Sequence, residues 1–457
     1  MRKVIAFALF VAIGFAGSAE AQSMQRPTRP YRGLFGGGPP TDPNRTRSEV
    51  TLTASVLGGY DDQLIPGSSL TPVPVGELGE SAYSATGDVL LNYYHGRTAR
   101  YFELDARAFT SAYSYVDAGP SIGANTGITY ASELGRRGRV DMRQIFSYEP
   151  SLVLGAYSSL ASDVDPLVLP ESGPGNGLLD QSSWSMASSG SYERRWTVRQ
   201  ATTGSASYSR RTYLDDVGYD STIWTLDARH RWNMTRVTSL NVSYVYSDMA
   251  VGDVTGLTTP TTTHAIEGAI SYSRRVSPTR QVQFSGGAGA TQVGTIDITR
   301  APLNYWMPSG HGTVRMDVGR TWAVRGDYRR SASALPGVSL ETFSTDAMNL
   351  RADGMMGRRL TSAFALSYAN GRSNIGLDLG RYRSYSATAQ MQYGLSRCCA
   401  MSVNYDYYNY KLEGLVGLPT DLPRAYDRNA IRFGFTLWVP LYGSYSGPAD
   451  GRTGTTR

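Results

Sequence analysis

The chain has 457 residues, a formal charge of +6, 50 glycines, 31 tyrosines and only 18% charged side chains. The glycines follow no collagen period, and no apolar run after Ala21 reaches the ~18 residues of a transmembrane helix, which leaves a large all-β protein with many turns as the matching class. The arginines recur at turns instead of clustering on one face, so no nucleic-acid partner is expected.

The chain opens on Arg2-Lys3, an apolar run from Val4 to Phe15 and the small-x-small site Ala19-Glu20-Ala21. This reads as a secretory signal over residues 1–21. Residues 22–47 are rich in Pro, Gly and Arg without periodicity and read as a flexible periplasmic arm. A first strand is predicted from Ser48 to Tyr60.

Eight arginine-marked tight turns follow: His95-Gly96-Arg97, Gly135-Arg136-Arg137, Arg194-Arg195-Trp196, Arg231-Trp232-Asn233, Arg274-Arg275-Val276, Gly319-Arg320-Thr321, Gly357-Arg358-Arg359 and Ser396-Arg397-Cys398. The flanks alternate with period two. Leu240, Val242, Tyr244 and Tyr246 share one face, with Asn241, Ser243 and Ser247 on the other. Phe102, Leu104 and Ala106 oppose Glu103, Asp105 and Arg107. A last strand runs from Arg428 to Val439, and residues 441–457 read as a flexible tail.

A pair of strands around each turn, with one strand before and one after, predicts about 18 strands. Sixteen is the alternative, the region from Ile128 to Ser147 being the weakest. Three features separate a membrane barrel from a soluble repeat. Tight turns alternate with longer Gly/Asp/Pro-rich loops. Aromatic residues crowd strand ends (Tyr93, Tyr94, Trp196, Trp224, Trp232, Trp322, Trp438). Small side chains fill the polar faces. The predicted fold is all-β: a single antiparallel up-and-down transmembrane barrel over residues 48–440, in the cell outer membrane, with both termini periplasmic.

In that frame the arginine turns anchor at inner-leaflet phosphates. The long loops face outward and carry carboxylates (Asp61, Asp62, Glu77, Glu80; Asp163, Asp165, Glu171, Asp180; Asp215, Asp216, Asp220), which divalent cations would bridge to lipopolysaccharide. The longest loop, about Ser158 to Ser182, has an apolar centre at Leu167-Val168-Leu169. It either enters the lumen or packs on neighbouring loops.

A barrel this wide leaves an aqueous channel. Opposite charges recur two residues apart on the polar faces: Glu103, Asp105 and Arg107; Asp227 and Arg229; Arg315 and Asp317; Arg325, Asp327 and Arg329; Arg351 and Asp353. They predict a belt of interleaved carboxylates and guanidiniums in the periplasmic half of the lumen, paired across strands. Catalysis finds no support. His95 and His230 sit at turns, and His264 and His311 begin strands with no Ser–carboxylate pattern nearby. The adjacent Cys398 and Cys399 point to opposite faces and cannot chelate a metal together. No enzyme activity, cofactor or metal is expected.

The chain resembles the β-barrel porins of Gram-negative outer membranes, in particular those associated with exopolysaccharide export. The resemblance rests on the signal segment, the hairpin rhythm and the closing strand Ile431-Arg432-Phe433-Gly434-Phe435-Thr436-Leu437-Trp438-Val439. It implies outer-membrane lipids, lipopolysaccharide and the barrel assembly machinery as partners. In such porins the final strand ends the chain on an aromatic residue that the assembly machinery reads, whereas here Pro440 and the tail follow. Three functions stay open: a channel for small polar solutes, the outer-membrane component of an exopolysaccharide secretion system with its periplasmic export proteins, and a structural or adhesive barrel. Aromatic rows along the lumen would favour the second, with Tyr385, Tyr405, Tyr407 and Tyr410 as candidates. Alternation places Tyr405 and Tyr407 on the lipid face.

Overall fold

A computed structural model describes residues 46–64, 80–97, 99–114, 120–149, 182–214, 220–252, 258–277, 280–296, 302–319, 321–335, 339–373, 380–396, 398–414 and 424–446. The secretory signal, the arm as far as residue 45, the apolar loop centre at 167–169 and residues 447–457 lie outside the described residues.

The alternating segments form β1 (Thr46–Leu64), β2 (Glu80–Arg97), β3 (Arg100–Tyr113), β4 (Ser121–Leu134), β5 (Gly138–Glu149) and β6 (Ser183–Arg195). Next come β7 (Gln200–Tyr213), β8 (Asp220–Asn233), β9 (Thr238–Gly252), β10 (Thr258–Ser277), β11 (Arg280–Ile296) and β12 (Pro302–Val318). The last six are β13 (Trp322–Leu335), β14 (Ser339–Met356), β15 (Leu360–Ser373), β16 (Arg381–Gly394), β17 (Cys399–Glu413) and β18 (Ala425–Ser446).

Each strand pairs antiparallel with its sequence neighbours, and β1 pairs with β18, closing an 18-stranded sheet on itself. Closure removes both sheet edges, so no row of backbone donors is left for lipid to satisfy. Eighteen strands settle the alternative of sixteen. The eight tight turns lie at one end of the barrel, together with both ends of the described chain, since Arg47 opposes Gly96 and Thr46 opposes Ser446. Gly135, Gly319 and Gly357 open three of those turns at φ of 67°, 68° and 71°, a left-handed conformation that a Cβ would strain.

The closing pair runs further than the alternation suggests. β1 starts at Thr46, inside the segment expected as arm, and continues to Leu64. β18 passes Pro440 into the expected tail, as far as Ser446. A register shift lets it do so: Thr51 opposes Pro440 and Val50 opposes Tyr442, leaving Leu441 as an extra residue. Such a bulge is where a strand tolerates a residue with no N–H.

Register sorts the side chains into two faces. Val56, Ile122, Ile266, Trp306, Leu366, Phe433 and Phe435 lie on one, each more than half exposed. The other carries Asp61, Phe343, Thr345, Ala369 and Ser373, all fully buried or nearly so, with Arg428 and Arg432. The barrel is inside-out: apolar outside, polar and ionic inside. Leaving a large apolar side chain in water forgoes roughly 1.5–3 kcal/mol each, so a belt of them around the whole wall needs hydrocarbon as its solvent. Directly opposed aromatics rim that belt at the long-loop end. Tyr60 and Tyr83 lie 5.8 Å apart, Tyr148 and Trp184 4.9 Å, Tyr208 and Trp224 4.4 Å, and Tyr368 and Tyr385 5.0 Å. These girdles and the closed barrel place the protein in the outer membrane.

Three aromatics fall on the face opposite to the expected one, because a single residue along a strand reverses a side chain. Tyr94 points inward and stacks on Tyr101 at 5.7 Å. Trp438 opposes inward-facing Thr53. Tyr385 opposes Tyr368 on the lipid side and lines no lumen row.

Candidate functional site

The inner wall is where this fold gathers its chemistry. Register puts Glu103, Asp105 and Arg107 of β3 on the inward face with Asp88 and Asn92 of β2. Asp227 and Arg229 of β8 share that face, as do Arg315 and Asp317 of β12, Arg325, Asp327 and Arg329 of β13, and Arg351 and Asp353 of β14.

The ion pairs run mostly along strands, not across them. Arg325 Nε lies 2.9 Å from Asp327 Oδ2, Arg229 Nη2 3.6 Å from Asp227 Oδ2, Arg351 Nε 3.6 Å from Asp353 Oδ1, and Arg315 Nε 3.7 Å from Asp317 Oδ1. Residues i and i+2 stand on one face about 6.5–7 Å apart, and a guanidinium folded back along the wall spans that gap to a short carboxylate. Cross-strand contact occurs where the neighbour allows it. Arg107 donates to Asp88 on the adjacent strand. Arg211 Nη2 reaches Glu149 Oε2 at 3.1 Å, passing over the serines of β6.

Several inward charges escaped the reading of the sequence. Arg139 grips Asp141 with Nε at 3.0 and 2.9 Å and Nη2 at 2.7 Å. Arg195 Nε and Arg231 Nη2 lie 2.8 and 3.6 Å from Glu193. Both groups show the same two-residue spacing of opposite charges that marks the rest of the belt. Asn92 was missed for another reason: its amide is uncharged, yet its Nδ2 donates to Glu103 Oε1 at 3.1 Å and also to Asp105.

In a closed ring of 18 strands, β2 to β4 and β12 to β14, eight strands apart one way round and ten the other, lie on opposite sides of the lumen. The two such walls differ in charge. β2 to β4 turn Asp88, Glu103, Asp105 and Glu133 inward against Arg107, whereas β12 to β14 turn in Arg315, Arg325, Arg329 and Arg351 against Asp317, Asp327 and Asp353. An acidic wall faces a basic one.

A second cluster lies at the closing seam. Asp61, expected in an acidic outer loop, sits inside β1 because that strand outruns its predicted end. Ala430 of β18 is flanked by Asp61 on one side and Asp406 of β17 on the other, with Arg428 and Arg432 two residues before and after it. Arg428 donates Nε and Nη2 to Asp61 Oδ1 at 2.9 and 2.7 Å. Arg432 Nη1 donates to Asp406 Oδ2 at 2.7 Å, and its Nη2 lies 3.5 Å from Asp61 Oδ2. The Arg428, Asp61 and Arg432 side chains are 4%, 0% and 4% exposed. Two charges of each sign neutralise one another in a dry site. On the outer side of the same strands, Asp62 accepts the backbone N–H and side-chain amide of Asn429 at 2.6 and 2.7 Å.

A third contact involves His311, which lies in the middle of β12 and not at the start of a strand as expected. Glu267 of β10 and His311 of β12 meet across β11, His311 Nδ1 donating to Glu267 Oε1. Gly287 of β11 leaves the gap they use: a Cβ there would lie 2.8 Å from His311 Cε1 and 2.8 Å from Ala269 Cβ. No group of three or more potential metal ligands occurs among the described residues. Cys398, in the turn, and Cys399, the first residue of β17, are free thiols whose sulfurs lie 3.2 Å apart, so the pair does not point to opposite faces as strand alternation suggested. Hydrogen bonds to Ser396 and Cys399 hold the Cys398 thiol below its ordinary pKa.

No family model matches the chain, and no curated protein matches it. Solved structures that it is similar to include Pseudomonas aeruginosa OpdQ, at 11% identity and a TM-score of 0.41 over 86% of this chain and 98% of that one. Acinetobacter baumannii OccAB2 gives 11% and 0.42, and Pseudomonas aeruginosa OccK2 (OpdF) 8% and 0.43, each with the same coverage of both chains. No residue role is carried over at such identities. The site therefore stands on its own geometry, and its parts differ in burial. The seam cluster is the driest, with Arg428, Asp61 and Arg432 at 4% exposure or less and Asp406 at 21%; the Glu267–His311 contact is partly shielded at 21% and 10%, and the belt is mixed, with both Arg107 and Asp88 at 12% and Arg325 at 42%.

Proposed function

We propose that the barrel is a passive, weakly selective channel for small polar solutes. The observation that carries this reading is the charged inner wall of a closed 18-stranded barrel. Eighteen strands enclose more space than their own side chains fill, and interleaved charges make the wall hydrophilic. The acidic wall facing the basic wall sets up a field across the lumen, which orients dipolar solutes and weights ions by sign.

The exopolysaccharide-export reading calls for aromatic faces open to a passing glycan. Tyr382, Tyr410 and Tyr426 do turn inward, but they are 5%, 3% and 7% exposed. Tyr410 and Tyr426 pack together at 5.7 Å, and Tyr382 packs edge-on to Phe343 at 5.4 Å. That burial favours the channel.

The test is conductance of the refolded protein in a planar bilayer under a salt gradient. A steady single-channel conductance with a non-zero reversal potential is the expected result. Silence from a protein that keeps the heat-modifiable gel mobility of a folded barrel would overturn the reading.

A further inference from the structure

Four cations stand on the outward face of β15 to β17 at the long-loop end: Arg372, Arg381, Arg383 and Lys411, all exposed. Register opposes Arg372 directly to Arg381 and Arg383 directly to Lys411. Like charges facing each other across a ladder weaken it, so the arrangement wants a counter-charge.

The adjoining β13–β14 hairpin supplies its own. Arg330 Nη1 lies 3.9 Å from Asp346 Oδ1, which also accepts the Tyr328 hydroxyl at 2.8 Å. Among the described residues of β15 to β17, the one carboxylate of this patch is Glu413, opposite Arg381, and Lys411 Nζ already holds it at 2.6 Å. Among the described residues, no carboxylate lies within ion-pair distance of Arg372, Arg381 or Arg383.

Depth says where the counter-charge comes from. Tyr385, two residues from Arg383 on the same face, and its opposed partner Tyr368 belong to the outer aromatic girdle. The cations rise directly beyond that girdle, at the level of lipid headgroups, where exposed arginine is tolerated. Guanidinium groups recognise phosphate through paired N–H donors. Asn370, opposite Arg383, adds an amide donor on the same face.

We propose that this patch is a binding site for the phosphates of an anionic glycolipid of the outer leaflet. The site stands apart from the channel reading and would serve any function of the barrel. It differs from cation-bridged contact through acidic loops, because here the protein supplies the positive charge directly.

The experiment is native mass spectrometry of the refolded full chain with diphosphorylated lipid A and, separately, its fully dephosphorylated form. The wild-type chain should retain the phosphorylated lipid. The R372Q/R381Q/R383Q variant should bind it on the order of a hundredfold more weakly, at roughly a factor of five for each cation removed. Changing a single outward arginine on the far side of the barrel, R210Q on β7, should leave binding unchanged. If the triple variant does not fold, the R372K/R381K/R383K variant and the single R383Q variant carry the comparison, with binding expected to fall for R383Q. Three results would overturn the proposal: wild-type affinity in the neutralised variants, equal binding of the dephosphorylated lipid, or displacement of the lipid by an equal concentration of inorganic phosphate.

Discussion

The seam cluster and the lumen belt use the same chemistry, carboxylate against guanidinium, on the same inner face. They differ in water. Arg428, Asp61 and Arg432 at the seam are almost completely covered, whereas Arg325 of the belt is 42% exposed. At 4 Å a pair of unit charges interacts by about 1 kcal/mol in water and about 4 kcal/mol at the effective dielectric of a protein. Burial therefore decides what each set does. The dry set ties the first strand to the last, and the wet set is the one placed, on the channel reading proposed above, to shape the field that a solute would meet.

The largest effect expected on that comparison is at the seam. Asp61→Asn removes the carboxylate between two buried guanidiniums and leaves an uncompensated charge, which costs about 3–5 kcal/mol. The temperature at which the folded, fast-migrating gel form converts to the unfolded one should fall clearly. Asp61→Asn combined with Arg428→Gln should recover part of that loss, because the stranded charge goes too. A conversion temperature unchanged in the single variant would mean that the seam is as wet as the belt. Between the extremes lies the Glu267–His311 contact, at 21% and 10% exposure. Glu267→Ala leaves the shielded imidazole without its acceptor, at a cost of about 1–3 kcal/mol. A shift as large as that of Asp61→Asn would contradict the grading by burial.

Much of the fold was legible because a barrel writes itself in period two. Leu240, Val242 and Tyr244 gave the lipid face of β9, and the glycine-arginine turns gave the strand count. The common inward face of Arg325, Asp327 and Arg329 was legible for a related reason: residues two apart share a face whenever their segment is a strand. Partner choice was not legible, since spacing does not say whether Arg325 folds along its own strand or across to the next. The seam was hidden for two reasons. Asp61 lies beyond the point where the alternation of β1 fades, and Arg428 and Arg432 find Asp61 and Asp406 only through the registers of β1 and β17. The extension of β18 past Pro440 needed the bulge at Leu441, which no local pattern marks.

The smallest effect on stability belongs to the exposed end of the belt, where Arg325 pairs with Asp327, and it separates folding from function. Asp327→Asn leaves Arg325 partly solvated, so the loss should stay within about 0.2–1 kcal/mol and barely move the gel transition. If the belt sets the field, however, the neutralised walls should change what the pore passes. Asp88→Asn with Glu103→Gln and Asp105→Asn strips the acidic wall and should shift the reversal potential towards anions. Arg325→Gln with Arg329→Gln and Arg351→Gln strips the basic wall and should shift it towards cations, both shifts shrinking as salt screens the wall. Shifts of the same sign from the two walls, or none at low salt in a conducting barrel, would mean that the charges stiffen the wall without steering solutes. Opposite shifts with an unmoved gel transition would assign the wet pairs to selectivity, leaving the dry seam to closure.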